Sequence, residues 1–216
     1  MFKTITDMET ITDTNIKNLV KSYLQGNSGL PPIGTWDVSN VTDMSNLFES
    51  AHNFNEPLDA WDVSNVTNMD CMFHLATNFN QDLNDWNVSN VTSMIDMFAF
   101  ARNFNGSLKN WKVKKVTCMS HMFNRAKKFN QPLNDWDVSN VTDMDGMFYE
   151  AIQFNQPLDA WNVSNIINME KMFYNATNFN QPLNNWLVSK NTKINNMFSD
   201  TFNNKRPVIV DLKEEY

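Results

Sequence analysis

Three histidines, two cysteines and four Asn-Val-Thr triplets are the residues whose types invite a chemical reading. A zinc or copper centre needs His or Cys side chains converging at fixed spacings. His52, His74 and His121 do not recur at one spacing, so they are read as solvent-facing residues and no metal site is assigned. Cys71 and Cys118 lie 47 residues apart. The repeat described below would put them two coils, or about 10 Å, apart, beyond the ~7 Å reach of a disulfide. They are read as reduced thiols, as in a reducing compartment. No Ser-His-Asp arrangement and no glycine-rich phosphate loop is present. The expectation is a protein without catalytic residues, cofactor or metal. Asn40, Asn65, Asn90 and Asn140 each precede Val-Thr, which matches the glycosylation rule. In this chain Asn and Thr are instead read as capping a turn.

Behind these residues stands a strict repeat. All seven tryptophans, Trp36, Trp61, Trp86, Trp111, Trp136, Trp161 and Trp186, fall 25 residues apart, and no insertion interrupts them. Columns of Val, Phe, Asn and Leu keep the same register, and the unit reads W-D-V-S-N-V-T-D-M-x-x-M-F-x-x-A-x-x-F-N-Q-P-L. One such unit cannot bury its own apolar residues, so units stack and share a core. The composition of 35 Asn, 16 Phe, 14 Met and only 5 Gly follows from one short text copied seven times.

Within a unit, Met69, Met72, Phe73 and Ala76 follow at i, i+3, i+4 and i+7, which predicts a short helix or two 3₁₀ turns, with Thr67 as its N-cap. Leu58-x-x-Trp61-x-Val63 predicts a short parallel strand, and the Asn after each second Phe (Asn55, Asn80, Asn105 and their copies) predicts an Asn ladder. Ile16, Leu19, Val20, Tyr23 and Leu24 make an amphipathic helix, with Asp13 or Thr14 as cap and Gly26 as stop. It is expected to lid the first coil. The divisions are an N-terminal capping segment 1–33, seven coils over 34–204 and a tail 205–216. The tail includes an added strand in Pro207-Val-Ile-Val, and Asn204 stands where a Phe is expected.

These motifs, Ala-x-x-Phe, Leu-x-x-Trp-x-Val-Ser-Asn-Val-Thr and Met-Phe, resemble the BspA-like leucine-rich-repeat surface proteins. More narrowly they resemble the 25-residue repeat of mycoplasma and lactic-acid-bacterial surface proteins, which is also found in protist surface proteins and in proteins encoded by giant DNA viruses. Residues 36–44 and 136–144, Trp-Asp-Val-Ser-Asn-Val-Thr-Asp-Met, carry the repeat unchanged. The resemblance implies a right-handed, leucine-rich-repeat-like α/β solenoid used in adhesion or protein–protein contact. It implies no catalytic residues. The bacterial members bear a signal peptide or lipoprotein motif, whereas Met1 to Thr14 here is polar and acidic. The expected setting is therefore intracellular or a virus particle, as a non-catalytic interaction or structural scaffold. An exported surface adhesin is the alternative.

Charge supplies the one aperiodic feature. The formal charge is −7, yet no Asp or Glu falls between Met97 and Asn134. That stretch holds Arg102, Lys109, Lys112, Lys114, Lys115, Arg125, Lys127 and Lys128, eight of the 17 basic residues. The rest of the chain, 9 basic against 24 acidic residues, carries −15. The band reads either as a solvated surface or as a docking site for an acidic protein surface, the acidic flank of another copy included. Nucleic acid is disfavoured, since the remaining charge repels phosphate. No apolar run is long enough to span a membrane. The Asp37, Asp62, Asn87, Lys112, Asp137, Asn162, Leu187 column lacks the glycine-rich pattern of calcium-binding repeats. It is read as a variable outward column, where a binding face would be written.

Overall fold

The computed structural model describes residues 9–27 and 29–198, together with the backbone of 208–210. The expectations for Asn204 and for most of the 205–216 tail lie outside the described residues. Units are counted here from the Leu column, Ile33, Leu58, Leu83 and onward, so that unit 4 is residues 108–132.

Successive units lie in parallel, one on the next. Isolated parallel bridges join Asp43 to Asn68, Asn68 to Ser93, and so on at every step to Lys193. Phe73 stacks on Phe48 at 5.3 Å and on Phe98 at 5.4 Å, and within its own unit on Phe79 at 4.0 Å. Two continuous columns of phenylalanine rings result, in the offset geometry that aromatic quadrupoles favour. The Trp, Val, Met, Phe and Leu columns are almost wholly buried and form one core.

The expected helix is absent. Met44, Leu47, Phe48 and Ala51 do share the inward side, but the backbone there is a run of turns. The N–H groups of Leu47, Glu49 and Ala51 close turns inside the unit, onto Met44, Asn46 and Phe48. The alternate N–H groups, those of Met44, Asn46, Phe48 and Ser50, donate instead to the next unit, at Asn68, Asp70, Met72 and His74. An α-helix would consume these donors internally and leave nothing to join the units. The alternation needs residues in the left-handed region, and Asn46 (φ 60°) and Ser50 (φ 58°) occupy it, as do their counterparts in later units. The Asx residue that begins this stretch does not sit on a helix dipole: Asp43, Asn68, Asp143 and Asn168 each accept the N–H two residues on, as an Asx turn.

The Trp-x-Val segment is likewise no strand in most units. It runs between two turns, with Trp and Val inward and the middle residue outward. Only in unit 7 is it a strand, β1 (Leu187–Ser189), which pairs in parallel with β2 (Val208–Val210). Elsewhere the joining bonds come from side chains. From Trp61 onward each buried indole Nε1–H donates to the carbonyl of the preceding unit's Leu column: Trp61 to Ile33 at 2.9 Å, Trp86 to Leu58 at 2.9 Å, Trp111 to Leu83 at 2.8 Å. The Asn ladder is present. Asn80 N–H donates to Asn55 Oδ1, Asn105 to Asn80, Asn130 to Asn105, Asn155 to Asn130 and Asn180 to Asn155, all within 2.7–2.9 Å. Thr67 is not a helix N-cap; its N–H and hydroxyl both donate to Thr42 O of the unit before. Gly106 stands where Gln81 and Gln131 stand in neighbouring units, and there the backbone approaches so closely that a Cβ would lie 2.2 Å from Gln81 O.

The N-terminal helix α1 (Ile16–Leu24) covers the first unit. Ile16 and Val20 are buried, Leu19 and Tyr23 pack against the core, and Leu24 faces solvent. Gly26, at φ 83°, ends it. Neither Asp13 nor Thr14 caps it, since the residue before it is Asn15. The carboxylate of Asp13 is turned to the stack: Thr42 N and Asp43 N donate to its Oδ1 (2.7 and 3.0 Å) and the Thr42 hydroxyl donates to its Oδ2 (2.7 Å). Later Thr residues of this column meet a carbonyl of the preceding unit; Asp13 supplies the acceptor where no such unit exists.

Burial raises the Asp13 pKa, but the Thr42 hydroxyl, the two N–H groups and Lys17 outweigh it and hold the carboxyl below its ordinary value. A carboxyl lowered in the folded state contributes stability above its unfolded pKa and loses it as pH falls through the folded one. Asp13→Ala removes the acceptor of three hydrogen bonds at an exposed, solvent-screened site and is expected to lose about 1 kcal/mol at neutral pH. The gap to wild type should close below about pH 4, as urea unfolding at both pH values would measure.

Candidate interaction site

The structure divides the eight basic residues predicted as a band. Lys109, Lys112, Lys114 and Lys115 are all exposed and flank the outward edge of unit 4 around buried Trp111 and Val113. Arg125, Lys127 and Lys128 lie on another stretch of that coil, beyond buried Met119, Met122 and Phe123, and Arg102 lies at the corresponding place in unit 3.

Arg125 is not free to dock a partner. Its Nε and Nη2 donate to both oxygens of Glu150 (3.0 and 3.1 Å), and its guanidinium lies 5.0 Å from the Phe100 ring centre and 5.6 Å from that of Tyr149. Phe100, Arg125 and Glu150 belong to one column 25 residues apart, so this clamp is a tie between units. Arg102 and Lys127 share another column, and their carbonyls accept the N–H groups of Lys128 and Gln153.

The lysine edge is built differently from the same edge elsewhere. In five other units the residue after Trp is an Asx whose Oδ1 accepts the N–H of the following Ser: Asp37, Asp62, Asn87, Asp137 and Asn162. These hydroxyl and N–H donors lower the pKa of Asp37, Asp62 and Asp137. The next Asn then donates its Nδ2–H to the Ser-column carbonyl of the unit before: Asn65 to Ser39, Asn90 to Ser64, Asn140 to Lys114, Asn165 to Ser139. In three of the four Asn-Val-Thr triplets, at Asn65, Asn90 and Asn140, the Asn is thus engaged in joining units. Unit 4 replaces Asx, Ser and Asn together with Lys112, Lys114 and Lys115. It forgoes the Asx turn, and Lys115 reaches only the Asn90 side chain (2.7 Å). Lys114 pairs with Asp137 at 3.5 Å, both well exposed, a contact worth little in water.

A second polar stripe pairs residues of adjacent units. His74 and His121 are not solvent-facing but half-buried, each beside a carboxylate of a neighbouring unit: Glu49 at 3.3 Å and Asp145 at 3.7 Å. Burial raises the Asp96 pKa against the pull of His121 and His74, with Asp70 adding to the rise. Burial likewise raises that of Asp145, opposed by His121. Cys71 is pushed up to about 11 by burial, with Asp96, Glu49 and Asp70 adding, so its thiol stays protonated. His52 bonds Leu75 O at 2.8 Å. Among the described residues no group of three or more His, Cys, Asp or Glu gathers as metal ligands. None of the described helices is long and apolar enough to cross a membrane. The sequence signal for these pairs was available, since Glu49 and His74 are 25 residues apart and His121 and Asp145 are 24 apart; it required knowing which columns neighbour one another.

A repeat array joined unit to unit by Asn, Thr and Trp columns defines a class of protein rather than an activity. The family model described as "Mycoplasma protein of unknown function, DUF285" matches residues 14–129 and again 106–209, and the chain belongs to that family. No curated protein and no solved structure matches it.

Proposed function

We propose that this chain is a non-catalytic scaffold, a right-handed leucine-rich-repeat-like solenoid of the BspA-like kind, which docks an acidic protein surface on the lysine edge of unit 4. The observation that carries the reading is the exchange in that unit. Three side chains that make structural hydrogen bonds elsewhere are replaced together by Lys112, Lys114 and Lys115, on a scaffold otherwise rich in acid. Substitutions that cost scaffold bonds and gain three exposed charges fit a binding edge better than solvation, which one lysine would serve. Lys109 completes the edge. Arg102, Lys127 and Lys128 form a separate group, and Arg125 is excluded by its own ion pair. The setting proposed is the interior of a cell or a virus particle.

The test is a triple reversal, Lys112→Glu, Lys114→Glu and Lys115→Glu, in the full chain, compared with wild type for retention of acidic partners from native extract. Retention is expected to fall at least about tenfold with an unchanged melting curve. Equal retention by both chains would retire the edge as a docking site.

A further inference from the structure

We infer that the acidic surface fitted to the lysine edge is the same edge of a second copy, laid antiparallel; this rests on the scaffold reading above. Each Trp-x-Val segment with its two flanking turns presents five outward residues, and these form a wall along the stack. Unit 4 presents Lys109, Asn110, Lys112, Lys114 and Lys115, and unit 5 presents Asn134, Asp135, Asp137, Ser139 and Asn140.

Two such walls meet face to face about a two-fold axis lying in the contact plane. With the axis along the stack, Lys112 meets Lys112. With the axis across the stack, the copies run antiparallel and each column faces itself in reversed order. An axis through unit 4 again opposes the lysines, and one midway between units 3 and 4 sets Asp62 against Asp137. Midway between units 4 and 5, Lys112 of each copy faces Asp137 of the other. Unit 3 then faces unit 6 (Asn84 on Asp159, Asn87 on Asn162) and unit 2 faces unit 7 (Asp59 on Asn184, Asn65 on Lys190). This is the antiparallel register of widest overlap that sets no like charges opposite each other across these columns.

Six rows at about 4.8 Å, and the six steps at about 3.3 Å from the first to the last of these five residues, outline a wall of about 29 by 20 Å, or about 1,200 Å² over both copies, at the small end of specific interfaces. The pairing is accordingly weak and sensitive to salt, because exposed charges are screened over about 10 Å at 0.1 M ionic strength.

Sedimentation velocity on the full chain tests this. Wild type is expected to form a concentration-dependent dimer in buffer of low ionic strength that dissociates in about 0.5 M salt. Lys112→Asp and Asp137→Lys should each be monomeric alone, because each sets like charges opposite. Mixed in equal amounts they should restore a dimer, because the swapped pair is complementary again. Both variants place residues that this column already holds elsewhere, Asp62 and Lys112, so the fold accommodates them. A wild-type chain that stays monomeric at low salt, or a mixture that stays monomeric, overturns the pairing. If the lysine reversal still abolishes capture of another acidic protein, the scaffold reading survives that result. If the swap works but the reversal leaves capture unchanged, self-pairing stands and the external partner falls.

Discussion

Replacing Phe123 with alanine is expected to destabilise the protein by about 3–5 kcal/mol. The ring is fully buried. It stacks on Phe129 at 3.9 Å within its unit, on Phe98 at 5.7 Å below and on Phe148 at 5.6 Å above. The space left by truncation is therefore walled by rings belonging to three units, each held by its own ladder bonds. Phe123 N–H, for instance, already donates to Met147 O. Collapse of one unit into the gap would break the ladder on both sides, so the cavity persists and its cost adds to the lost transfer energy. Urea unfolding would measure the change; a loss under about 1 kcal/mol would mean that the rings are not packed as a column.

The second large effect is expected from Trp111→Phe. Trp111 is buried between Trp86 at 6.5 Å and Trp136 at 6.1 Å, and its Nε1–H donates to Leu83 O at 2.8 Å. Phenylalanine keeps an aromatic face in the column but removes the donor. Leu83 O keeps the Trp86 N–H as a donor, so the change removes one of its two hydrogen bonds at a cost of about 0.5–1.5 kcal/mol, and the missing ring atoms add about 1 kcal/mol. Trp111→Phe should thus cost about 2 kcal/mol in urea unfolding, more than the loss of ring area alone. If the measured loss equals only the transfer term, the indole bonds are not what holds neighbouring units together at this edge.

Much of this was open to a reader of the sequence, and for identifiable reasons. The 25-residue register exposes every core column, because the same inward position takes Phe or Met in unit after unit. The Asn ladder follows from an Asn that recurs beside a buried Phe. The spacing of Met44, Leu47, Phe48 and Ala51 predicts a short helix or two 3₁₀ turns, but a run of turns with left-handed residues, Asn46 and Ser50 among them, produces the same spacing. Glycine and asparagine do mark that conformation at Gly146, Asn46, Asn175 and Asn196, but Leu75, Phe100, Arg125 and Glu150 adopt it with no such mark. Only the inter-unit bonds impose it there.

The lysine edge was visible as charge. What was hidden was which of its members have partners already: Arg125 is taken by Glu150, a residue one unit ahead in its own column. Asp13 was expected to cap a helix; its part in closing the Thr ladder depends on contact between the helix and the first unit, which no local pattern reports.

The central claim is that equivalent 25-residue units stack as interchangeable layers beneath the N-terminal cap. Excision of residues 83–107, one whole unit, tests it most directly. The shortened chain should fold cooperatively, keep the wild-type near-ultraviolet aromatic signature in proportion to its six remaining tryptophans, and melt at a somewhat lower temperature, as a linear array of nearest-neighbour interfaces requires. Excision of residues 83–95 breaks the register and should leave the chain unfolded. A 25-residue excision that unfolds the protein, or a half-unit excision tolerated equally well, would contradict the account.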